Sequence, residues 1–315
     1  MASVDVVVPT TGRPSLARLL DALTAGGTPL TGKVFLVYDG KDAEPHAVPD
    51  DARFRVLRGA GRGPAAARNV GWRASSAEWI AFLDDDVVPA PDWVDRLLDD
   101  LGSVDADVAG SQGRIRVPLP DGTRPTDWER NVKRLEDARW ATADMAYRRS
   151  ALERVGGFDE RFRRAYREDA DLGLRITAAG YRIVPGSRAV DHPPGPADRW
   201  ISVRLQAGNA DDAFMDALHG PAWRARAGAP PGRFQRHLAV TAAAGVTLAA
   251  TLAGRKRVAA LAGAVYLAGA AELAWARIAP GSRGADEVAT MAATSALIPP
   301  AAVFYRLTGV LRARS

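Results

Sequence analysis

Over its first hundred residues the chain alternates short β-branched and aromatic runs with helical stretches opened by proline. Residues 4–8, 33–38, 54–57 and 79–83 read as strands, and residues 14–23, 64–74 and 91–101 as helices. Proline at or near the first turn costs a helix nothing, because that N–H has no intrahelical partner. Strand alternating with helix predicts a largely parallel sheet covered by helices on its faces. Further on, residues 108–117, 144–147 and 181–184 read as strands and 128–139, 149–155 and 167–179 as helices, the last ended by Gly180. Next come a helix from about 198 to 218 and a Pro/Gly/Arg stretch over 221–232.

Open α/β sheets bind ligands beyond the carboxyl ends of their strands, so the residues just past each strand carry the most information. The first strand runs into Pro9-Thr10-Thr11-Gly12, the second into Asp39-Gly40 and the fourth into Asp84-Asp85-Asp86. In extended chain Asp84 and Asp86 point the same way. Two convergent carboxylates with open positions suit Mg²⁺ or Mn²⁺ held jointly with a phosphate. The alternative is capping and solvation ahead of Pro91, a task Asp92 is better placed to do.

Glu168-Asp169 opens a helix, and both fall beside its apolar stripe of Leu172, Ile176 and Ala179. Asp171 is expected to lie outward, paired with Arg175 one turn on. The helix dipole is expected to keep an inward carboxylate ionised, which makes it a candidate general base; an acidic first turn that merely complements the dipole is the alternative. Gly61-Arg62-Gly63-Pro64-Ala65-Ala66 fits a dinucleotide fingerprint, with Asp84 18 residues after Ala66, and leaves an NAD(P)-dependent oxidoreductase open. Against it, the preceding strand is not the first, and Pro64 removes an N–H that would hold phosphate. His192, beside two prolines, is either a loop residue or a metal or diphosphate ligand.

Composition narrows the chemistry. With no cysteine, thiolate zinc sites, iron–sulfur clusters and cysteine nucleophiles are excluded, and four histidines remain. Charge is uneven: residues 221–315 carry 12 Lys/Arg and 3 Asp/Glu, a net of +9, whereas the first 220 carry a net of −4. Such a tail meets a polyanion, and its apolar runs favour an anionic lipid surface over nucleic acid. MASVDVVVPT lacks the pattern of a secretory signal, so the front half is expected in the cytoplasm.

Taken together, Ala67-Arg68-Asn69-Val70-Gly71, Phe82-Leu83-Asp84-Asp85-Asp86, Gly156-Gly157-Phe158-Asp159-Glu160 and Glu168-Asp169-Ala170-Asp171-Leu172 resemble, in order and spacing, the family 2 glycosyltransferases of the GT-A fold. The resemblance covers residues 3–195. It implies a Rossmann-like mixed sheet and an inverting transfer of sugar from a nucleotide diphosphate (UDP, GDP or dTDP) to an acceptor hydroxyl. Pro9, Thr10 and Asp39 would contact the nucleoside. Arg62, Arg68 and Asp85 would serve the donor side, while Asp84 and Asp86 would hold a divalent metal, with His192 at a position where some relatives place a further ligand. Gly157, Phe158 and Asp159 would line the acceptor side. Asp169 would be the base and Glu168 would orient it. Ala143-Asp144 departs from the small residues common there among relatives. A catalytically silent scaffold binding sugar nucleotide or lipid is the remaining alternative.

The expected domains are a catalytic unit over 1–220, a basic linker over 221–237 and an apolar, membrane-associated helical tail over 238–315. Its uncharged runs are residues 238–254, 258–271 and 288–305. The first is 17 residues, about 25 Å as a helix against a hydrocarbon core of about 30 Å. A hairpin of the first two runs would carry Arg255-Lys256-Arg257 away from the cytoplasm. The expected topology lays the first run in the interface and spans with the other two, the second extended to about Ala276; a monotopic tail on anionic lipid and a soluble helical cap are the alternatives. Either membrane version places the active site at the cytoplasmic face near a lipid-linked or glycan acceptor.

Overall fold

In the computed structural model, which describes residues 3–40 and 48–314, the strands β1 (Val4–Thr10), β2 (Val34–Tyr38), β3 (Phe54–Arg58) and β4 (Trp79–Leu83) form a parallel half-sheet in the order β3-β2-β1-β4. β2 and β4 are buried along their whole length, which is why they read as continuous apolar runs. The exception in β1, Asp5, accepts the Lys33 N–H and the Ser75 hydroxyl, so its burial leaves neither oxygen unpaired.

The other half makes the sheet mixed, as the family resemblance implies, rather than parallel throughout. β7 (Asp144–Arg148) runs antiparallel to β4 and to β6 (Val108–Arg116), β6 is parallel to β8 (Arg182–Asp191), and the two-residue β5 (Val88–Pro89) closes the edge antiparallel to β8. The eight-stranded order is β3-β2-β1-β4-β7-β6-β8-β5. Direction here is set by β7, which returns beside β4 after a long excursion instead of through a single crossover helix.

Helices cover the sheet. α1 (Ser15–Ala25) buries Leu16, Leu19, Leu20 and Leu23, and α3 (Trp93–Gly102) buries Trp93, Val94, Leu97 and Leu101, the i, i+3/i+4 stripe of a core-facing helix; each such side chain contributes about 1.5–3 kcal/mol. α2 (Pro64–Ala74) has proline in its first turn. After α4 (Asp127–Lys133) and α5 (Arg149–Val155) comes α6 (Glu168–Ala178). α6 is seated by Trp140, whose ring lies where a Cβ on Gly173 would be. No larger residue fits at 173 without moving the helix.

The chain divides into two units. The first holds residues 1–118, 133–195 and 226–229, and with them the sheet. The second gathers residues 119–132, 196–225 and 230–315. It contains α7 (Ile201–Arg204), α8 (Gly208–His219), α10 (Phe234–Leu252), α11 (Lys256–Ile278) and α12 (Ala285–Arg314), so residues 119–132 and 196–225 go with the C-terminal helices. The Pro/Gly/Arg stretch carries the single turn α9 (Trp223–Arg226).

Within the second unit, α10 and α11 are antiparallel neighbours, Val240 against Gly269 and Thr247 against Gly263. Arg277 at the end of α11 donates to Asp127, Thr294 and Ser295. Arg130 donates to the Arg277 carbonyl, and the Asp127 N–H to Glu287 in the first turn of α12. Toward the other end of α12, Arg306 pairs with Asp216 of α8, and Gly309 lies against the Ala210 backbone.

Candidate active site

Asp84, Asp85 and Asp86 leave β4 together and part at once. Asp85 turns inward and is almost fully buried. It accepts the Thr10 hydroxyl at 2.6 Å and is gripped by Arg13. Thr10, itself buried, also accepts the Gly12 N–H, so the hydroxyl expected to meet a nucleoside is committed to the loop after β1. Pro9 beside it is half-buried.

Asp84 and Asp86 stay half-buried, and His192 joins them. The cause is strand pairing: Val88 lies opposite Asp191, which carries the residue after β8 to the turn after β4. The His192 N–H donates to the Arg116 carbonyl, and its Nε2 lies 3.4 Å from Asp86 Oδ1. One donor atom from each of Asp84, Asp86 and His192 falls within 4.8 Å of the others. Two carboxylate oxygens and an imidazole nitrogen are a donor set that Mn²⁺ or Mg²⁺ accepts while keeping positions for phosphate oxygens, so the residues fit a divalent ion. Burial, then the charge of Asp84, pushes the Asp86 carboxyl above the ordinary range, with His192 and Arg13 pulling it back.

The second acidic cluster is reached through Arg68 of α2. Its buried guanidinium donates to Asp84 at 2.7 Å and to Glu168 at 2.9 Å. One side chain therefore joins the end of β4 to the start of α6, and Phe158 lies against its flank, 5.6 Å from the guanidinium carbon to the ring centre. Arg167, immediately before Glu168, adopts a left-handed conformation (φ 77°), a strain of about 1–3 kcal/mol for a non-glycine residue. It turns the chain so that α6 starts with Glu168 inside and Asp169 half-exposed.

Here burial outweighs the helix dipole. The Glu168 carboxyl is pushed up to about 8, by desolvation first and the Asp169 charge second, against the pull of Arg68. Asp169 is also raised by desolvation, although it accepts the Ala170 N–H. Both carboxyls therefore hold a proton more tightly than exposed acids do. Asp171 does not lie outward as expected. It does pair with Arg175, at 2.6 Å, but it is buried, because Arg175 folds back to the carbonyls of Val155 and Gly157.

Among the remaining predicted residues, Asp39 caps the loop after β3, accepting the N–H groups of Gly61 and Gly63 at 2.7 Å each. Those are the amides a dinucleotide pyrophosphate would need, and Asp39 already uses them; the fingerprint is an internal turn. Arg62 pairs with Glu160 at 2.8 Å. Gly157 has positive φ, and a Cβ there would strike Asn69 and Trp72. Phe158 is buried against Phe82, so it supports this loop from beneath. Asp159 pairs with Arg161. An open hollow of about 410 Å³ beside Gly157 and Asp159 includes neither acidic cluster.

Two residues that the sequence reading names without a role, Asn69 within a motif and Asp144 as a departure from relatives, turn out to be structural hubs. Asn69 is the hub of the Gly157 loop, accepting from Trp72 Nε1 and the Phe158 N–H and donating to the Phe158 carbonyl and Glu160. Asp144, directly opposite Leu83, is fully buried and accepts from Trp93 Nε1 and Arg188, whose guanidinium also reaches Asp100 and Ser111. An Asn within an alanine-rich helix was a legible signal for the first. The second was marked only as a departure from the small residues common among relatives, with nothing local to show its buried partner Arg188.

Residues 5–170 match the family described as glycosyl transferase family 2. The pre-mycofactocin glycosyltransferase of Mycobacterium tuberculosis is 35% identical over 136 residues, which is 39% of this chain and 28% of that protein. The N-acetylglucosaminyl-diphospho-decaprenol L-rhamnosyltransferase of the same species is 30% identical over 179 residues, 47% of this chain and 58% of that one. The chain thus spans between about a quarter and three-fifths of the length of these relatives. Among solved structures, the mannosyltransferase PcManGT of Pyrobaculum calidifontis, in complex with GDP-Man and Mn²⁺, superposes with a TM-score of 0.57 at 22% identity, covering 97% of this chain and 87% of its own, a likeness of fold. With a fold of that kind and a family match over more than half its length, the chain belongs to glycosyl transferase family 2 and has the GT-A fold.

Proposed function

We propose that the enzyme transfers a sugar from a nucleotide diphosphate to an acceptor hydroxyl with inversion, at the cytoplasmic face of a membrane, on a lipid-linked acceptor in envelope glycan or glycolipid synthesis. The observation that carries the chemistry is Arg68: one guanidinium holds Asp84, of the metal-fitting triad, and Glu168, neighbour of the only half-exposed carboxylate at the start of α6. Asp84, Asp86 and His192 would hold a Mg²⁺ or Mn²⁺ ion, which when bound neutralises the charge of a diphosphate leaving group. Asp169 takes the proton of the acceptor hydroxyl, help worth roughly 10²- to 10⁴-fold. Glu168, fixed by Arg68, keeps a second negative charge from forming beside Asp169 by holding its own proton. Displacement from the face opposite the leaving group inverts the anomeric centre.

The decaprenol-linked acceptor in one relative's name and the apolar C-terminal helices support the lipid-linked acceptor. GDP-Man and Mn²⁺ in the similar structure support a nucleotide sugar and a divalent ion as the ligand classes. A thermal-shift panel of UDP-, GDP- and dTDP-sugars with Mn²⁺, Mg²⁺ or chelator tests the donor and the ion: one donor class should raise Tm by mass action in metal and lose that effect in chelator. NMR of the product should then show the inverted anomer; retention overturns the displacement.

A further inference from the structure

α11 and α12 are each long and apolar enough to cross a membrane, yet chain connectivity does not allow the two to cross as a pair. The end of α11 and the start of α12 are tied to Asp127, through Arg277 and Glu287. Asp127 lies in a segment that leaves the catalytic unit after Pro118 and rejoins it at Lys133. Six residues separate Asp127 from Lys133, about 20 Å when fully extended, against a hydrocarbon core of about 30 Å. That end of both helices is therefore on the catalytic side. The far end of α12 is held there too, by Arg306 on Asp216 and Gly309 on Ala210, in the segment 196–225 that is likewise bracketed by catalytic-unit chain. The topology expected from sequence, in which α10 lies flat and the other two span, is the alternative that the experiment below separates from this reading.

What remains free is the α10–α11 hairpin. Its start comes directly after the catalytic-unit residues 226–229, and its antiparallel partner returns to Arg277, so both feet are on the catalytic side and residues 253–257 are the tip. Leu248, Leu252, Leu261 and Leu267 are 63–81% exposed, and α11 is apolar around its circumference from Val258 to Ala271, the pattern of a helix in apolar medium; its Glu272 pairs with Arg233 and Arg236 at the foot of the hairpin. The 23 residues of α11 extend about 34 Å, and the uncharged run from Leu238 in α10 about 25 Å, so the hairpin reaches across a core of about 30 Å only with the polar first turn of α10 in the near headgroups. α12 differs: its exposed apolar residues Leu297, Phe304, Leu307 and Leu311 form one stripe, the pattern of a helix lying in an interface.

We propose that the α10–α11 hairpin is the membrane-spanning element, entering from the catalytic side with Arg255-Lys256-Arg257 beyond the far leaflet, while α12 lies in the near interface with its Leu297–Leu311 stripe on lipid. The three cations at the tip do not oppose this orientation. The positive-inside rule compares Lys and Arg flanking the spans, and the feet carry Arg224, Arg226, Arg233, Arg236, Arg277 and Arg283, six against three. The same six suit anionic headgroups of the near leaflet. The inference rests on the membrane placement proposed above and not on the sugar chemistry.

The absence of cysteine permits a direct test. The full chain is expressed with a single cysteine in place of Ala253 at the tip, Ser282 between α11 and α12, or Ser103 in the catalytic unit. Spheroplasts are treated with a membrane-impermeant maleimide before and after lysis. Ala253→Cys should label fully in intact spheroplasts, whereas Ser282→Cys and Ser103→Cys should gain at least tenfold on lysis. Arg257→Cys repeats the tip measurement should Ala253→Cys fold poorly. A tip cysteine that reacts only after lysis or in neither state, a Ser282→Cys that reacts in intact cells, or a chain soluble without detergent overturns the hairpin. Sugar transfer measured on the same preparations reports separately on the proposed reaction.

Discussion

At the end of β4, Asp85 has both carboxylate oxygens partnered, by Thr10 and Arg13, whereas at the start of α6 Glu168 has one oxygen on Arg68 and its Oε2 lacks a hydrogen-bond partner among the described residues. Each buried acid stands beside a half-buried one, Asp84 and Asp86 in the first case and Asp169 in the second. Charge compensation separates the two ends. Arg13, Arg68 and His192 surround the triple aspartate, while Arg68 is the side-chain donor that Glu168 receives. The first end thus carries more compensating positive charge than the second, where a buried carboxyl holds its proton beside the half-buried Asp169.

The largest effect should come from neutralising the base. Asp169→Asn is expected to lower kcat by 10²- to 10⁴-fold, with KM for the donor little changed, in steady-state transfer assays; near-normal turnover removes Asp169 from the role. Arg68→Met should act on both ends at once, because it leaves Asp84 and Glu168 without their shared cation. A destabilisation of about 3–5 kcal/mol in urea unfolding is expected for such a broken buried pair, and a loss under 1 kcal/mol would show that Arg68 does not join the clusters.

The pH response comes from the second end. Folding raises the Glu168 carboxyl from its ordinary 4.5 to about 8, so between these values the folded state binds more protons than the unfolded one. Stability from this group is full below about 4.5 and is lost as pH rises toward 8. Tm in metal-free buffer should fall across that window, and Glu168→Gln should flatten the fall; an unchanged slope would contradict the assignment. The smallest effect is the control: Arg182→Ala, which removes an exposed pairing with Asp105 and Asp107, should leave the urea midpoint and the transfer rate unchanged.

The half-sheet β3-β2-β1-β4 and its helices were legible because each element declares itself locally, through apolar runs, proline starts and stripes at helical spacing. β8 was not: Pro185 and Gly186 interrupt its pattern, and it reaches Asp191 only because β6 and β5 pair with it. That extension is what carries His192 to the triple aspartate, so the sequence left the histidine between a loop and a ligand. Asp144 was opaque for a similar reason, since its partner Arg188 is 44 residues away on a strand whose neighbours were unknown. The acidic pairs were visible as motifs, but their protonation was not, because burial and the single cation of Arg68 are properties of the assembled core. The tail's apolar runs were equally plain, while the tie between Arg277 and Asp127 was not, because the two are 150 residues apart in sequence.

The division of labour between the two acidic ends is tested most directly by measuring the Mn²⁺-dependent Tm increase given by the preferred nucleotide sugar in Asp84→Asn and Asp169→Asn side by side. The account predicts that Asp84→Asn loses the increase, whereas Asp169→Asn keeps it while losing turnover. An increase retained in Asp84→Asn, or abolished in Asp169→Asn, would contradict it.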